Sequence, residues 1–437
     1  MVGSVHDNMY LASLFDAGDV SRLFAPSAEI RAMLVVEGAL AKAQGAAGVI
    51  PEISAAAIQR AALEVQIDPA GLTSATAQNG VVIPALVAAF RDAMQAPEHA
   101  QYVHWGATSQ DVIDTSLMLR LRQSAALIRT NVTEALVAYA SLAENHADTV
   151  MVARTYGQQG APTSFGAVAA SWGWPLLAAL RALDGLTFHV SLSGAVGTGS
   201  ALGPHPAKIR ADMADSLGLT DPEHSWHTDR ASLLTILSSM TEVTRAFAKM
   251  GEDAIAMTQT EVGELTLGTA GASSTMPQKQ NPVAPSALVA LATAAQGYEA
   301  IAKTAATHRF QRDGAAWFAE WMVVPQIILA AASAARSGAV LAQSLQPNTA
   351  NMAQKLDGDG LLMSETLSFA LARKMSRPDA QAEVKKLAAE VRKTGKTLGE
   401  LAIAKWPDLP QGIMSPNRAL GAGPAEARAF SATVRKL

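Results

Sequence analysis

The sequence predicts an all-α fold, a bundle of long helices with smaller helical domains at its N- and C-terminal ends. Hydrophobic residues make up 49% of the chain and aromatic residues only 5%, because alanine and leucine dominate. Alanine has the highest helix propensity, and its small side chain lets neighbouring helices approach closely. Charged residues are only 16%, which indicates that other helices or other subunits cover much of the helix surface.

Individual helices are predicted in chain order from apolar periodicity and from the glycines and prolines between them. The first, over 28–48, carries Ile30 and Leu40 on one side and ends before Pro51. A helix over 111–148, which has no glycine or proline, would exceed roughly 50 Å at about 1.5 Å per residue. Further helices are predicted over 55–66, 81–95, 164–186, 230–262, 284–310 and 322–345, with shorter, more charged helices after residue 361.

Three regions are expected along the chain, because 437 residues suffice for two or three structural regions around a large core. The first is an N-terminal helical domain over 1–110. A central long-helix bundle over 111–355 follows and contains a polar, candidate catalytic loop at 268–285. A C-terminal helical domain over 356–437 completes the chain.

Charge and cysteine content exclude several classes of function. The formal net charge is −4, so no general attraction to nucleic acid or to an anionic membrane is expected. The absence of cysteine excludes disulfides, thiol catalysis and thiolate metal sites. The N-terminus lacks the features of a signal peptide, and the uncharged stretch 155–180 is rich in glutamine, proline and glycine. We therefore expect a cytoplasmic protein that binds neither nucleic acid nor membrane.

Two stretches partly resemble a dinucleotide-binding motif and a metal-binding motif, but neither has the spacing that its motif requires. The glycines of GAVGTGSALG (194–203) lack the G-x-G-x-x-G spacing, and no alternating series of strands and helices surrounds them. His224 and His227 lie three residues apart without an H-E-x-x-H pattern. We therefore expect no cofactor and no metal, and interpret the two histidines as packed or surface residues.

The stretch GASSTMPQKQNP (271–282) is a polar interruption in a mostly apolar chain. A serine hydroxyl becomes a base at neutral pH only if amide N–H groups, a helix N-terminus or a cation such as Lys279 stabilise its alkoxide. A loop that closes over a substrate can assemble that environment. The alternative is an ordinary surface loop between helices.

A second polar stretch, HWGATSQD (104–111), precedes the longest predicted helix. Thr108 and Ser109 offer hydroxyl groups and backbone N–H groups at the helix N-terminus, which is a favourable place for a carboxylate. The alternative is simple N-capping by Ser109 or Asp111, and both interpretations can hold together.

With these motifs the chain resembles the fumarase/aspartase superfamily, which includes adenylosuccinate lyase and argininosuccinate lyase. The stretch SSTMPQKQNP matches the superfamily signature S-S-x-M-P-x-K-x-N-P, and HWGATSQDVIDT, RTYGQQGAPTSFG and GAVGT occur in the expected order. The resemblance covers almost the whole chain. It implies a fumarase/aspartase-like long helical bundle, a homotetramer with active sites shared between subunits, and reversible anti β-elimination from a small-molecule polycarboxylate.

The resemblance also assigns roles to individual residues. Ser273 is the expected base with Ser274 beside it, and which of the two acts stays open. The expected contacts to the substrate from these motifs are Thr108, Ser109, Thr155, Lys279 and Asn281.

Three positions depart from the pattern of the other lyases. Tyr156 stands where fumarase-like members have a histidine, Gln159 where adenylosuccinate lyases have a further histidine, and Ser286 where a glutamate is usual. Expelling an amine or hydroxide requires a proton, whereas a carboxylate, whose conjugate acid has a pKa of about 4, leaves without one. The departures therefore favour opening of a lactone by β-elimination, or its reverse, closure by addition of a carboxylate to an alkene.

That chemistry is found in the 3-carboxy-cis,cis-muconate cycloisomerases, the lactonizing branch of the superfamily, and the chain resembles them in further stretches. SWHTDR (225–230) resembles their W-H-T-x-R stretch, and QRDGAAWFAEW (311–321) places Arg312 at their arginine. The chain departs from them at Gln278 and Gln280, where histidine and arginine are more usual.

This resemblance implies interconversion of 3-carboxy-cis,cis-muconate and 4-carboxymuconolactone without a cofactor. His104 and Arg312 join the residues expected to hold the substrate carboxylates, and Gln159 is expected to orient a carboxylate rather than donate a proton. Ser273 is expected to transfer the proton at the carbon α to a carboxylate.

Two other functions stay open. A C–N lyase of the adenylosuccinate lyase type would need a proton donor for its amine, and a non-catalytic scaffold would not need the polar loop. Single residues also keep a second interpretation. Tyr156 would pack beside Trp172 or Trp174, Arg312 would form a salt bridge between subunits, and His104 would hydrogen-bond a neighbouring loop.

Overall fold

The protein is mostly helical, as the sequence predicts. The computed structural model describes residues 4–268, 271–272, 275–276, 279–356 and 358–437. Its α-helices are α1 (Asp19–Leu23), α2 (Pro26–Ala46), α3 (Glu52–Glu64), α4 (Thr73–Asn79), α5 (Ile83–Met94), α6 (Pro97–Ala100), α7 (Ser109–Asn145), α8 (Phe165–Asp184), α9 (Pro206–Leu217), α10 (Ala231–Met257), α11 (Val283–Ala305), α12 (Gly314–Ser344), α13 (Thr349–Gln354), α14 (Ser364–Leu371), α15 (Arg377–Thr394), α16 (Leu398–Lys405) and α17 (Gly423–Val434).

Short antiparallel strand pairs supplement these helices. The strands are β1 (Val150–Thr155), β2 (Gln158–Ser164), β3 (Leu265–Thr266), β4 (Gly271–Ala272), β5 (Gln280–Asn281) and β6 (Gln346–Pro347). Within the described ranges, β1 pairs with β2, β3 with β6 and β4 with β5. The segment 153–166, which the sequence analysis treats as a polar interruption, is therefore largely a hairpin. The all-α fold class is confirmed, because these strands are few and short.

The predicted long helices are confirmed, with one informative difference. The 37-residue helix α7 lies inside the predicted range 111–148 apart from its first two residues. Helix α12 begins at Gly314 and not at residue 322, and Pro325 lies inside it. A proline is most favourable in the first turn of a helix, so the sequence suggested a later start than the packed structure adopts.

Helix α12 is also long and apolar enough to cross a membrane by length and composition alone. However, 67% of its most apolar 18-residue window is buried inside the protein. Such burial is the pattern of a core helix, because a single apolar helix in the core of a globular protein has the same composition as a membrane span.

The chain divides into two compact units, each assembled from separate stretches. Unit 1 comprises 1–131, 179–245 and 290–337, and unit 2 comprises 132–178, 246–289 and 338–437. The division into three regions along the sequence stays a prediction.

A buried ion cluster lies in the core of unit 1 and joins the N-terminal parts of three helices. Arg230, directly before α10, donates from Nη1 to Oδ2 of Asp114 on α7 at 2.7 Å and from Nη2 to Oε2 of Glu320 on α12 at 2.7 Å. His308 Nε2 lies 3.4 Å from Oε1 of Glu320. A buried guanidinium is stable only when its charge is matched in this way, so the cluster fixes the N-terminal ends of α7, α10 and α12 together.

In unit 2, close backbone packing between α7 and α8 depends on glycine. A Cβ atom at Gly166 would lie 2.5 Å from the carbonyl oxygen of Ala143 and 2.7 Å from Cα of Ala147. Both atoms belong to the backbone and cannot move away as a side chain can. The first turn of α8 therefore lies directly on the end of α7.

Gly166→Ala is expected to lower the free energy of unfolding by about 1–3 kcal/mol, because one helix must shift to admit the methyl group. Urea unfolding at a fixed protein concentration measures the change. Gly399→Ala in α16 is the matched control, since the atom nearest to its Cβ lies 3.5 Å away on Met414. Equal stability of the two variants would contradict the packing described here.

Candidate active site

The loop 103–109 of unit 1 has a tightly fixed backbone. Arg91 donates from Nη2 to the carbonyl oxygen of Val103 at 2.8 Å, and Gln44 donates from Nε2 to that of Trp105 at 2.7 Å. Gly106 has a φ of 71°, and a Cβ atom there would lie 2.4 Å from the carbonyl oxygen of Ala201. Only glycine fits this combination of left-handed backbone and close approach.

Asp111 joins this loop to two other segments of unit 1. Its Oδ1 accepts from the backbone N–H of Ser193 at 2.8 Å and from Nε2–H of His227 at 2.8 Å. Its Oδ2 accepts from the backbone N–H groups of Gly194 at 2.9 Å and Thr108 at 3.0 Å. The carboxylate is only 1% exposed, and these donors provide the compensation that a buried carboxylate requires.

Both interpretations of the first loop are compatible with this geometry. Asp111, the third residue of α7, reaches back to the N–H of Thr108, as the acidic residue of a capping box does. The hydroxyls of Thr108 and Ser109 donate to no residue within the described ranges, and both side chains are partly exposed. Capping through Asp111 therefore leaves these two hydroxyls at the positive end of a long helix.

Arg312 lies against the same segments. It donates from Nε to Oε1 of Gln110 at 2.9 Å and from Nη2 to the carbonyl oxygen of Ala195 at 3.2 Å. Gln110 is itself fixed, because its Nε2 donates to the carbonyl oxygen of His227 at 2.9 Å. Arg312 makes no salt bridge to a described carboxylate, so its positive charge is not neutralised within unit 1.

His104 contacts a buried acid. Its Nδ1 lies 2.7 Å from Oε1 of Glu37 on α2, so its partner lies on a helix and not in a neighbouring loop. Burial by itself would lower the pKa of His104, but the charge and the hydrogen bond of Glu37, together with the charge of Asp111, outweigh it, so the pKa is raised above the usual 6.5.

Unit 2 contains the second predicted element as the hairpin of β1 and β2. Tyr156 and Gly157 form its two-residue turn with φ angles of 53° and 72°, which fits the twist of a hairpin. Arg154 anchors the hairpin by two bonds of 2.7 and 2.8 Å to the fully buried Glu264. Thr155 and Gln159 are exposed.

Tyr156 is fully exposed at the tip of this hairpin. The alternative that it packs beside Trp172 or Trp174 is therefore wrong. A side chain projecting from a turn can be a contact only for something outside this part of the chain, such as a substrate or another subunit.

The loop predicted to be catalytic is described only in part. Ser273 and Ser274 lie outside the described residues, as does Gln278. Lys279 is exposed, and its N–H donates to the carbonyl oxygen of Met276 at 3.0 Å. Asn281 is partly buried and pairs with Gly271 across β4 and β5. The structure thus places His104, Thr108, Ser109 and Arg312 in unit 1 and Thr155, Gln159, Lys279 and Asn281 in unit 2.

Ser286 and the histidine pair have structural partners. The hydroxyl of Ser286 donates to the carbonyl oxygen of Pro282 at 2.7 Å, within the first turn of α11. His227 is buried against Asp111, whereas His224 is exposed. No group of three or more histidines, aspartates and glutamates able to hold a metal occurs among the residues whose positions are described.

Sequence reasoning missed several residues that fix the site. Glu37 lies in the apolar helix α2, 67 residues before its partner His104, and nothing in the local pattern indicates the pairing. Gln110 and His227 likewise act through partners that are distant in sequence. For Asp111 a signal was present, since an acidic residue in the first turn of a helix is typical of capping.

Comparison with known proteins places the chain in a family. A family profile described as "Lyase" matches residues 19–297. A 3-carboxy-cis,cis-muconate cycloisomerase of Bradyrhizobium diazoefficiens is 37% identical over 357 residues, which are 80% of this chain and 79% of the relative. The chain belongs to the fumarase/aspartase superfamily of lyases.

A solved structure and a further sequence relative are also similar to this chain. The crystal structure of the 3-carboxy-cis,cis-muconate lactonizing enzyme from Pseudomonas putida superposes with a TM-score of 0.90 at 29% identity, covering 98% of this chain and 99% of the other. A nitrosuccinate lyase of Streptomyces davaonensis is 30% identical over 447 residues, 97% of this chain and 94% of the relative.

Asp111→Asn is expected to lower the free energy of unfolding by about 3 kcal/mol, because the amide nitrogen would face N–H donors that lose their acceptor. Urea unfolding checks the change. Asp212→Asn is the control, since the one ion pair of Asp212 within the described ranges is with the exposed Lys208, and the change in stability should be less than about 1 kcal/mol. Similar values for both variants would show that Asp111 does not organise the loops.

Proposed function

We propose that the protein is a 3-carboxy-cis,cis-muconate cycloisomerase, which interconverts 3-carboxy-cis,cis-muconate and 4-carboxymuconolactone without a cofactor. The observation that carries this proposal is the set of residues at the proton-relay positions. Tyr156 and Gln159 lie exposed on the hairpin, and the hydroxyl of Ser286 donates to the carbonyl oxygen of Pro282. None of the three is an acid that donates a proton readily at neutral pH. A carboxylate leaving group requires no such proton donor.

The reaction follows from this chemistry. In the closing direction, one substrate carboxylate adds to an alkene carbon, a C–O bond forms, and the neighbouring carbon α to a second carboxylate takes up a proton. In the opening direction a base removes that proton, the C–O bond breaks and the carboxylate leaves as an anion. The intermediate with extra charge on the second carboxylate requires strong electrostatic stabilisation.

Each unit contributes residues to this scheme. In unit 1, Arg312 and His104 supply positive charge, and Thr108 and Ser109 supply hydroxyls at the N-terminus of α7. In unit 2, the proposed contacts are Thr155, Gln159, Lys279 and Asn281, with Gln159 orienting a carboxylate. Ser273 or Ser274 is proposed to transfer the proton, with Ser273 as the first candidate.

A homotetramer with shared active sites completes the proposal. Apolar side chains are exposed on the long helices, among them Val137, Met322 and Val340, and exposed apolar positions on bundle helices are typical of subunit interfaces. The exposed hairpin tip at Tyr156 would then reach a neighbouring subunit. We also propose that the protein works in the cytoplasm.

The alternatives have less support. A C–N lyase of the adenylosuccinate lyase type would need a proton donor where Tyr156 and Gln159 stand. A non-catalytic scaffold would have no use for Lys279 and Asn281 on a polar loop or for a guanidinium such as Arg312 without a carboxylate partner in its unit.

The direct test is an ultraviolet assay of the purified protein with 3-carboxy-cis,cis-muconate, without added metal or cofactor. We expect the absorbance of the conjugated diene to disappear and NMR to identify a lactone. Adenylosuccinate is the control substrate and should stay intact. Cleavage of adenylosuccinate with no loss of the diene would overturn the proposal in favour of a C–N lyase.

Ser273→Ala is expected to reduce kcat at least about 100-fold, because general acid–base catalysis contributes roughly that much or more. Steady-state kinetics with the same assay measure the effect. Ser286→Ala is the matched control and should keep kcat within about twofold if no relay acts through that position. If Ser273→Ala keeps near-normal turnover, the same measurement on Ser274→Ala decides between the two serines.

A further inference from the structure

Glu37 is a buried carboxylate whose charge has a single described partner. It lies in the middle of α2, its side chain is 2% exposed, and its Oε1 lies 2.7 Å from Nδ1 of His104. Its other oxygen, Oε2, is buried and accepts no hydrogen bond from any described residue. A buried carboxylate with one free oxygen is costly unless its partner carries a full positive charge. The geometry therefore favours an imidazolium at His104.

The opposite side of the His104 ring is open. The side chain is 18% exposed, and Nε2 is neither buried nor bonded to any residue in the described part of the chain. An imidazolium held at Nδ1 by an acid presents its remaining N–H at Nε2. His104, Thr108 and Ser109 are all partly exposed residues of the loop 103–109, so this donor lies in the same loop as two of the proposed substrate contacts.

The position of the ring is imposed on a strained backbone. His104 has a φ of 62°, a left-handed conformation that is unfavourable for residues with a side chain, although less so for histidine than for most. Such strain persists only where the surroundings enforce it. Here both neighbouring carbonyls are held, that of Val103 by Arg91 and that of Trp105 by Gln44.

The charged groups that face His104 come from three helices. Burial lowers its pKa, the Glu37 carboxylate on α2 raises it, Asp111 on α7 raises it further, and Arg91 on α5 lowers it. Glu37 acts both through its charge and through the hydrogen bond to Nδ1, so it is the decisive neighbour. Without Glu37, burial and Arg91 would oppose protonation, and only the more distant charge of Asp111 would favour it.

We propose that Glu37 is a positioning residue that holds His104 as an imidazolium, whose Nε2–H binds a carboxylate of the substrate beside Thr108 and Ser109. This inference rests on the proposed function in taking the substrate to be a polycarboxylate. Glu37 itself touches no substrate. It acts through the orientation and the charge of His104.

A specific pH dependence follows. The pKa of His104 is raised above 6.5 in the folded protein, so the imidazolium is the major form at pH 6.5 and is lost as the pH rises through the raised value. The carboxylates of the substrate are ionised throughout this range. KM should therefore be low at pH 6.5 and should increase at higher pH, whereas kcat should follow a different group.

The test compares wild type with Glu37→Gln, which keeps the size of the side chain and removes its charge. Histidine-labelled protein gives the NMR titration midpoint of His104 without any substrate, and His104→Gln identifies the signal among the nine histidines. In Glu37→Gln we expect the midpoint to fall by at least one pH unit, and KM at pH 7 to rise about tenfold with kcat within about twofold.

Two further variants separate a charge effect from loss of structure. Glu37→Asp restores the charge and should recover most of the wild-type midpoint. Glu29→Gln makes the same change on the same helix, where the carboxylate pairs with Arg120, and should leave the His104 midpoint and the pH dependence of KM as in wild type. An unchanged midpoint in Glu37→Gln, or an unchanged KM despite a shifted midpoint, would overturn the proposal.

Failure of the proposed function would be visible separately. If wild type does not consume 3-carboxy-cis,cis-muconate, calorimetric binding of tricarballylate, a saturated tricarboxylate, replaces KM in the same comparison. In wild type, binding should weaken as the pH rises. The role of Glu37 is supported if the same weakening begins at a lower pH in Glu37→Gln than in wild type. Absence of binding, or binding with the same pH dependence in both proteins, overturns it.

Discussion

The buried carboxylate of Asp111 is the interaction on which the unit 1 part of the candidate site depends. Its two oxygens accept from the backbone of Thr108, Ser193 and Gly194 and from the ring of His227. Three segments far apart in sequence are thereby fixed to the first turn of α7. The ion cluster around Arg230 supports this arrangement, because it fixes the N-terminal parts of α7, α10 and α12 to one another. The loops of unit 1 have their conformations because these buried charges admit few alternatives.

The same arrangement explains how a protein with a net charge of −4 can offer a favourable place to an anion. The charges of the buried acids Asp111, Asp114 and Glu320 are balanced by hydrogen bonds and ion pairs inside the protein. They therefore repel an anionic ligand only weakly. Arg312, by contrast, is held by neutral oxygens of Gln110 and Ala195, and its charge stays uncompensated within unit 1. The anion binding that the proposed function requires would therefore depend on where charges are neutralised and not on their total number.

Sequence reasoning recovered the parts of the structure that local chemistry determines. The long helices followed from alanine content and from the spacing of glycine and proline, and the polar stretches marked the loops. It failed where long-range packing decides. Pro325 lies inside α12, where packing against other parts of the protein outweighs its low helix propensity. The pairing of Glu37 with His104 has no signal in the local sequence. The sequence predicted a polar interruption around Tyr156 and no hairpin, because tyrosine rarely occupies the first position of a two-residue hairpin turn. The roles of Ser273 and Ser274 rest on the signature motif alone.

The turn at Tyr156 also bears on how members of this superfamily exchange one chemistry for another. Its φ of 53° lies in the left-handed region, which tyrosine occupies rarely and histidine several times more readily than most residues. The backbone therefore presents a smaller obstacle to a histidine at this position than to the tyrosine that occupies it. Under the proposed function, lactone closure and amine expulsion differ at this position in acid–base chemistry, while the backbone that carries the residue can stay as it is.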